Sequence, residues 1–174
     1  RRVGGGEGGL ALPSGVHFQL PGPGDAKNAA FASLWDNFPK ELSFQVSGRA
    51  RHAYLLMAGT TNPMQTQIDN AEVVLSYWDG TSERLVLRNP TNWWPIEKDY
   101  FIDDFAFQVP GPRPPRVELA TGRVYSPESN SRPAGGASTI LDVPLDPSMQ
   151  LFSLTIRPLS NEVIVGLLGL TLAR

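Results

Sequence analysis

From residue 39 onward the chain alternates between apolar and polar positions. Leu42, Phe44 and Val46 are separated by Ser43 and Gln45, the two-residue period of a strand with one buried face. Residues 52–58 (H-A-Y-L-L-M-A) form a continuous apolar run between Gly48 and Gly59, which fits a strand buried on both faces. The clearest hairpin is residues 71–88. There A-E-V-V-L-S-Y-W and E-R-L-V-L-R flank Asp79-Gly80-Thr81-Ser82, and Asp-Gly supplies the positive φ that a tight turn demands. Residues 100–109 are aromatic-rich and read as a strand, followed by P-G-P-R-P-P, a connection without ladder donors. Residues 117–119 and 123–125 surround Thr121-Gly122 as a small hairpin, and residues 127–136 read as a polar loop. Two strong strands close the chain. Residues 151–157 place Phe152, Leu154 and Ile156 on one face, and residues 163–172 are almost wholly apolar. So apolar a strand does not suit a solvent-facing edge, and it is expected centrally, paired with strands from early in the chain.

Ahead of residue 39 the pattern is weaker. Residues 3–9 are mostly glycine, and Pro21-Gly22-Pro23-Gly24 punctuates a segment with one short strand at residues 16–20. Residues 28–35 fit either a helical turn or an extended segment. The division expected is a flexible lead and irregular segment over residues 1–27, then a single β-sandwich domain over residues 28–174. Roughly eight to ten short strands without a repeating helical crossover predict an all-β antiparallel sandwich, a jelly roll.

Composition narrows the function classes. The 174 residues suffice for one substantial core. With 17 Gly and 16 Pro scattered along the chain, an all-helical protein is excluded. Fifteen Lys and Arg against 17 Asp and Glu leave a net charge of -2, so no positive field attracts nucleic acid or an anionic membrane. No cysteine means no disulfide, no thiolate nucleophile and no cysteine-based zinc site, and two histidines make a His-rich metal site improbable. No apolar run reaches the roughly 18 residues of a membrane span. The chain begins with Arg1 and reads as a processed or excised segment.

The most unusual local feature is Asn89-Pro90-Thr91-Asn92-Trp93-Trp94-Pro95. If extended, it points the two indoles to opposite faces, one into the core and one outward. An exposed indole beside amide and carboxylate groups suits sugar: the ring stacks on C–H groups while the polar side chains bind hydroxyls. Burial of both rings at the open end of the sandwich is the competing explanation. A second cluster, Ser33-Leu34-Trp35-Asp36-Asn37-Phe38-Pro39, offers Trp35, Asp36 and Asn37, whose Asx residues also form ordinary turns. Thr60-Thr61-Asn62-Pro63-Met64-Gln65 suits a pocket wall or a loop. The ligand-binding candidates are therefore Trp93, Trp94, Asn92, Trp35, Asp36 and Asn37, and no catalytic residue is assigned. Adjacent Asp103 and Asp104 would face opposite sides of a strand and cannot act as a pair. There is no G-x-S-x-G elbow, and His52 opens an apolar run, as a packed histidine would. The glycine-rich lead lacks the Lys-Ser/Thr of a phosphate loop. No cofactor is expected; a structural calcium ion is compatible with a sandwich, though no D-x-D-x-D-G loop argues for one.

In combination, F-A-S-L-W-D-N-F-P, A-Y-L-L-M-A-G-T-T-N-P-M-Q and the stretch from Y-W-D-G-T through N-W-W-P to F-I-D-D-F resemble the carboxy-terminal β-sandwich region of large bacterial glycoside-hydrolase-like proteins of unassigned function. The closing L-D-V-P-L-D-P-S and V-I-V-G-L-L-G-L-T-L are similar to it too, so the resemblance covers about residues 28–174. More loosely, Y-x-D-G-T followed by W-W is similar to galactose-binding-like domains appended to glycosidases. The resemblance implies a secreted accessory domain, extracellular or periplasmic, whose partners are a polysaccharide or oligosaccharide and the catalytic domain of a parent glycoside hydrolase. It supplies no ligand motif to carry over. The alternatives are a purely structural interdomain module packed on a catalytic domain, and a self-contained lyase or hydrolase on a jelly-roll scaffold.

Overall fold

The computed structural model describes residues 9–20, 29–62, 66–99, 112–128 and 130–174. Among these residues twelve strands run in chain order: β1 Gly9–Ala11, β2 His17–Gln19, β3 Ala30–Ser33, β4 Leu42–Gly48, β5 His52–Thr60, β6 Asp69–Tyr77, β7 Ser82–Arg88, β8 Arg116–Glu118, β9 Val124–Tyr125, β10 Ala137–Pro144, β11 Leu151–Pro158 and β12 Ile164–Ala173. A six-stranded sheet, β3-β12-β5-β10-β8-β9, faces a four-stranded sheet, β4-β11-β6-β7, and every pairing is antiparallel. The fold is an all-β sandwich.

Alternating apolar positions of both sheets meet in one core. Leu55 and Met57 of β5, Val73, Leu75 and Tyr77 of β6, and Leu154 and Ile156 of β11 are buried together there. The apolar β12 lies between β3 and β5, as its composition predicts. The ambiguous segment at residues 28–35 contributes an edge strand, β3, paired with β12. The strand expected over residues 100–109, and Asp103 and Asp104 with it, lies outside the described residues.

Three local expectations are corrected. Between Gly136 and Leu151, where none was expected, β10 forms a central strand paired with β5 over Thr139↔Met57 to Pro144↔His52. Its alternation is hidden because Ala137, Ser138, Thr139, Ile140 and Leu141 are buried on both faces. The lead is not wholly irregular: β1 and β2 pair, Leu10 with Phe18, into a hairpin. Phe18 packs with Leu56, Val117 and Ile140 in a second apolar cluster on the outer face of the six-stranded sheet. A Cβ at Gly169 would stand 3.2 Å from the Phe18 ring, so glycine leaves room for that ring. In β11, a register shift between Leu151 and Ser153 breaks the simple period. Leu151, Leu154 and Ile156 point inward while Phe152 is exposed. One extra residue on a strand is what turns a side chain to the other face.

Close approach of β5 and β12 depends on Gly59. A Cβ there would lie 1.9 Å from the Ile164 carbonyl oxygen and 3.0 Å from the Trp93 ring. Because the first neighbour is backbone, Gly59→Ala is expected to lower unfolding free energy by about 3 kcal/mol. Urea denaturation checks this, and a loss below about 1 kcal/mol would show that the two strands separate easily.

Candidate functional site

The loop after β7 carries the double tryptophan. It is tied down by side-chain amides: Asn92 Oδ1 accepts from the Arg88 N–H at 2.8 Å, and Asn92 Nδ2 donates to the Val86 carbonyl at 2.9 Å. Asn89, next to a cis bond with Pro90, donates to the Trp93 carbonyl at 2.8 Å and accepts from the Thr66 hydroxyl at 3.1 Å. Held this way, both indoles turn inward. Trp93 is 0% exposed and Trp94 1% exposed.

This corrects the expectation that one of the pair faces outward. Alternation of consecutive side chains belongs to strands, and this segment is a loop. Trp93 joins the main core against Gly59, its Nε1 without a hydrogen-bond partner, and the Arg116 guanidinium lies over the Trp94 ring at 6.0 Å. Neither ring offers a face to a ligand, and the Asn92 side chain is engaged with its own loop.

Beyond Trp94 the same segment is anchored by a buried ion pair. The Asp99 carboxylate accepts from Arg116, from the Tyr125 hydroxyl at 2.9 Å and from the Ser131 hydroxyl at 2.7 Å. Arg116 also donates to the carbonyls of Pro95 at 3.0 Å and Ala137 at 2.8 Å. Burial, and the bond to the Asp99 carboxylate, push the Tyr125 hydroxyl pKa up. Every charge in this cluster is answered inside the protein, so its role is to hold the loop on the six-stranded sheet.

Trp35 does lie on the surface, 45% exposed, on the turn between β3 and β4. Its ring meets Phe38 edge-on at 6.5 Å. The Phe38 N–H donates to the Trp35 carbonyl at 3.1 Å, and the Lys40 ammonium caps the carbonyls of Leu34 and Trp35 at 2.7 and 2.9 Å. Asp36 stands 3.8 Å from Lys40, and Asn37 is exposed. The three candidates therefore share one turn, while Trp93 and Trp94 are interior and Asn92 is bound within its own loop; no single surface gathers all six.

The most exposed aromatic side chain among the described residues is not one of the sequence candidates. Trp78 is 68% exposed and meets Phe152, 43% exposed, edge to face with ring centroids 4.8 Å apart. Both placements follow from local geometry. Val73, Leu75 and Tyr77 point inward on β6, so two-residue alternation turns Trp78 outward, and the irregularity in β11 turns Phe152 toward it. Tyr77 is fixed beneath by the Asp146 N–H, which donates to its hydroxyl at 2.8 Å, and the Trp78 N–H donates to the Gln150 carbonyl at 3.0 Å. Nearby carboxylates are occupied by their own turns. Asp79 accepts from the Thr81 hydroxyl and N–H and Asp146 from those of Ser148, and these bonds hold both below the usual carboxylate range. The signal that could have found Trp78 was the alternation itself, continued one position past Tyr77.

His52 is not packed in the core as its sequence context suggests. It lies on the outer face of β5, stacked on Tyr54 at 5.8 Å, with Nδ1 2.8 Å from the Asp142 carboxylate. Among the described residues no hydroxyl hydrogen-bonds that ring, so the pair lacks the nucleophile of a triad. Nor does any group of three or more His, Asp or Glu among the described residues stand ready to hold a metal ion.

No protein-family model, curated protein or solved structure matches the chain.

Proposed function

We propose that this chain is a non-catalytic carbohydrate-binding domain, an accessory to a polysaccharide-degrading catalytic domain, and that Trp78 is its principal contact with sugar. The observation that carries the reading is the Trp78–Phe152 pair: an indole held edge-on by a second ring and left 68% exposed on a polar sheet face. Such a ring has the apolar face that stacks on sugar C–H groups, and its neighbours on the sheet are hydroxyl and amide side chains. The resemblance to sandwich regions of glycoside-hydrolase-like proteins, with the extracellular or periplasmic location it implies, points the same way. We read the sandwich as a jelly roll. In support, the chain changes sheets at each step β3–β4–β5–β6, and again at β10–β11–β12, giving the interleaved orders β3-β12-β5-β10 and β4-β11-β6-β7.

The test is affinity electrophoresis of the chain through gels containing neutral polysaccharides, with a Trp78→Ala variant alongside. Retardation by at least one of them, weakened about tenfold or more by Trp78→Ala, is expected, since stacking of one exposed ring supplies a large share of a weak affinity. Retardation that Trp78→Ala leaves unchanged would remove the assignment. Folding of the variant is checked by its denaturation midpoint, which should stay near that of the wild type because the ring is mostly exposed.

A second reading, a structural module packed on a catalytic domain, is favoured by a different observation. Leu34 and Trp35 follow β3, Ile68 precedes β6 and Leu159 follows β11, so four exposed apolar side chains gather at the end of the sandwich opposite Trp78. The two readings use opposite ends of the domain and are compatible.

A further inference from the structure

We infer that the ligand is an extended, uncharged glycan chain lying along the outer face of the four-stranded sheet, with Trp78 at one end of its track; this rests on the carbohydrate reading above. The outward positions form successive rows. Beside the aromatic pair come Ser76, Ser153, Gln45 and Ser82, paired across the sheet as Ser153↔Gln45, Ser153↔Ser76 and Ser76↔Ser82. The next row pairs Thr155 with Ser43 and Val74, and Val74 with Arg84. Arg157, opposite Glu72, follows. From Trp78 to Glu72 at the strand rise the track is about 20 Å long, the length of several sugar units.

The strip concentrates neutral polar side chains on one sheet face. Several hydroxyl and amide side chains elsewhere close turns or bind backbone: Thr81 and Ser148 bind the carboxylates of Asp79 and Asp146, Asn92 its loop, and Thr171 the His17 carbonyl. The side chains of Ser43, Gln45, Ser76, Ser82, Ser153 and Thr155 make no hydrogen bond to another described protein group. They are neutral donors and acceptors open to a ligand on one plane, next to an aromatic ring. At the far end the charges are saturated. Glu72 receives Arg84 at 2.5 Å and Arg157 at 3.4 Å, and Arg157 reaches Glu41 at 2.9 Å. Two carboxylates and two guanidinium groups cancel, so at this end an anionic glycan would find a cation only by breaking an ion pair, whereas sugar hydroxyls can bond to the pairs as they stand. A protein partner is less well matched, because the large exposed apolar side chains Trp78 and Phe152 lie at one end of this face and a stable interface needs an apolar centre. An open sheet face has no wall to recognise a chain end, so internal stretches of the polymer bind.

The experiment titrates the chain's tryptophan fluorescence with neutral β-linked gluco-, xylo- and manno-oligosaccharides from disaccharide to hexasaccharide, before and after borohydride reduction of the reducing end, and with oligogalacturonate. Thr155→Arg tests the track, since it sets a long charged side chain in its middle while leaving the Trp78 end untouched. Affinity should rise at least tenfold from disaccharide to hexasaccharide in one neutral series, be unaffected by end reduction, and change little with salt. Thr155→Arg should lower hexasaccharide affinity about tenfold and leave disaccharide affinity unchanged. Length-independent binding, or a silent Thr155→Arg, overturns the track while leaving the carbohydrate reading in place. Preference for oligogalacturonate with steep salt dependence overturns the uncharged ligand. Absence of binding to every glycan overturns both, and concentration-dependent dimerisation abolished by Trp78→Ala would assign the face to a second copy of the chain.

Discussion

Replacing Asp99 by alanine is expected to lower unfolding free energy by about 3–5 kcal/mol, measured by urea denaturation. The Arg116 and Asp99 side chains are 0% and 1% exposed, and among the described residues the carboxylate is the only acidic partner of the guanidinium. Without it a buried cation keeps its carbonyl acceptors at Pro95, Ala137 and, at 3.5 Å, Lys98, while the hydroxyls of Tyr125 and Ser131 lose theirs. Leaving one member of a buried pair alone costs more than the pair contributes, because desolvation of the remaining charge is uncompensated. Exchanging both partners for apolar groups of similar volume, Asp99→Leu with Arg116→Met, should therefore recover much of the loss. A second readout follows the same group. Burial and the Asp99 carboxylate both raise the Tyr125 pKa, so Asp99→Ala should move its ultraviolet titration to lower pH, toward the ordinary phenol value. A small stability loss with an unmoved tyrosine titration would mean that the cluster does not anchor the loop.

Trp93→Ala carries an effect of the same size, about 3–5 kcal/mol, from the void left by a fully buried indole. The Trp93 Nε1 has no hydrogen-bond partner, so the ring's volume against Gly59 is its contribution, and a hydrogen bond is not lost with it. The two tryptophan variants separate structure from recognition. Trp93→Ala should shift the denaturation midpoint strongly while leaving glycan affinity of the folded fraction unchanged, and Trp78→Ala should do the reverse. A Trp93→Ala protein of wild-type stability would contradict the burial of that loop.

How much of this was legible follows from where local pattern decides the outcome. The strands β4, β5, β6, β7 and β12 are written in their alternation, apolar runs and turn residues, and each lies where the pattern sets it. Strand β10 is not, because both of its faces are buried and two of its interior positions are Ser138 and Thr139. Its outer face is apolar only because the β1–β2 hairpin covers it, a contact between segments more than a hundred residues apart in sequence. The site divides in the same way. Trp78 follows the last residue of β6 and is readable only by carrying period two one position past the strand, where its N–H still bonds to the neighbouring Gln150 carbonyl, whereas the outward turn of Phe152 depends on an irregularity in pairing that strand composition does not encode. The double tryptophan misleads for a related reason: a rule for strands was applied to a loop whose course is set by Asn89, Asn92 and the Asp99–Arg116 pair. Trp35 lies on a surface turn, where its carbonyl is capped by Lys40 and Asp36 stands near the same ammonium.

The most direct measurement is a proton–nitrogen spectrum of the four tryptophan indole N–H groups during titration with a binding glycan, each signal assigned by its Trp→Phe variant. The Trp78 signal should move progressively with ligand, while those of buried Trp93 and Trp94 and of Trp35, at the far end of the sandwich, stay in place. Movement of Trp35 alone, with Trp78 unchanged at saturating glycan, would contradict the assignment and shift the binding surface to the opposite end.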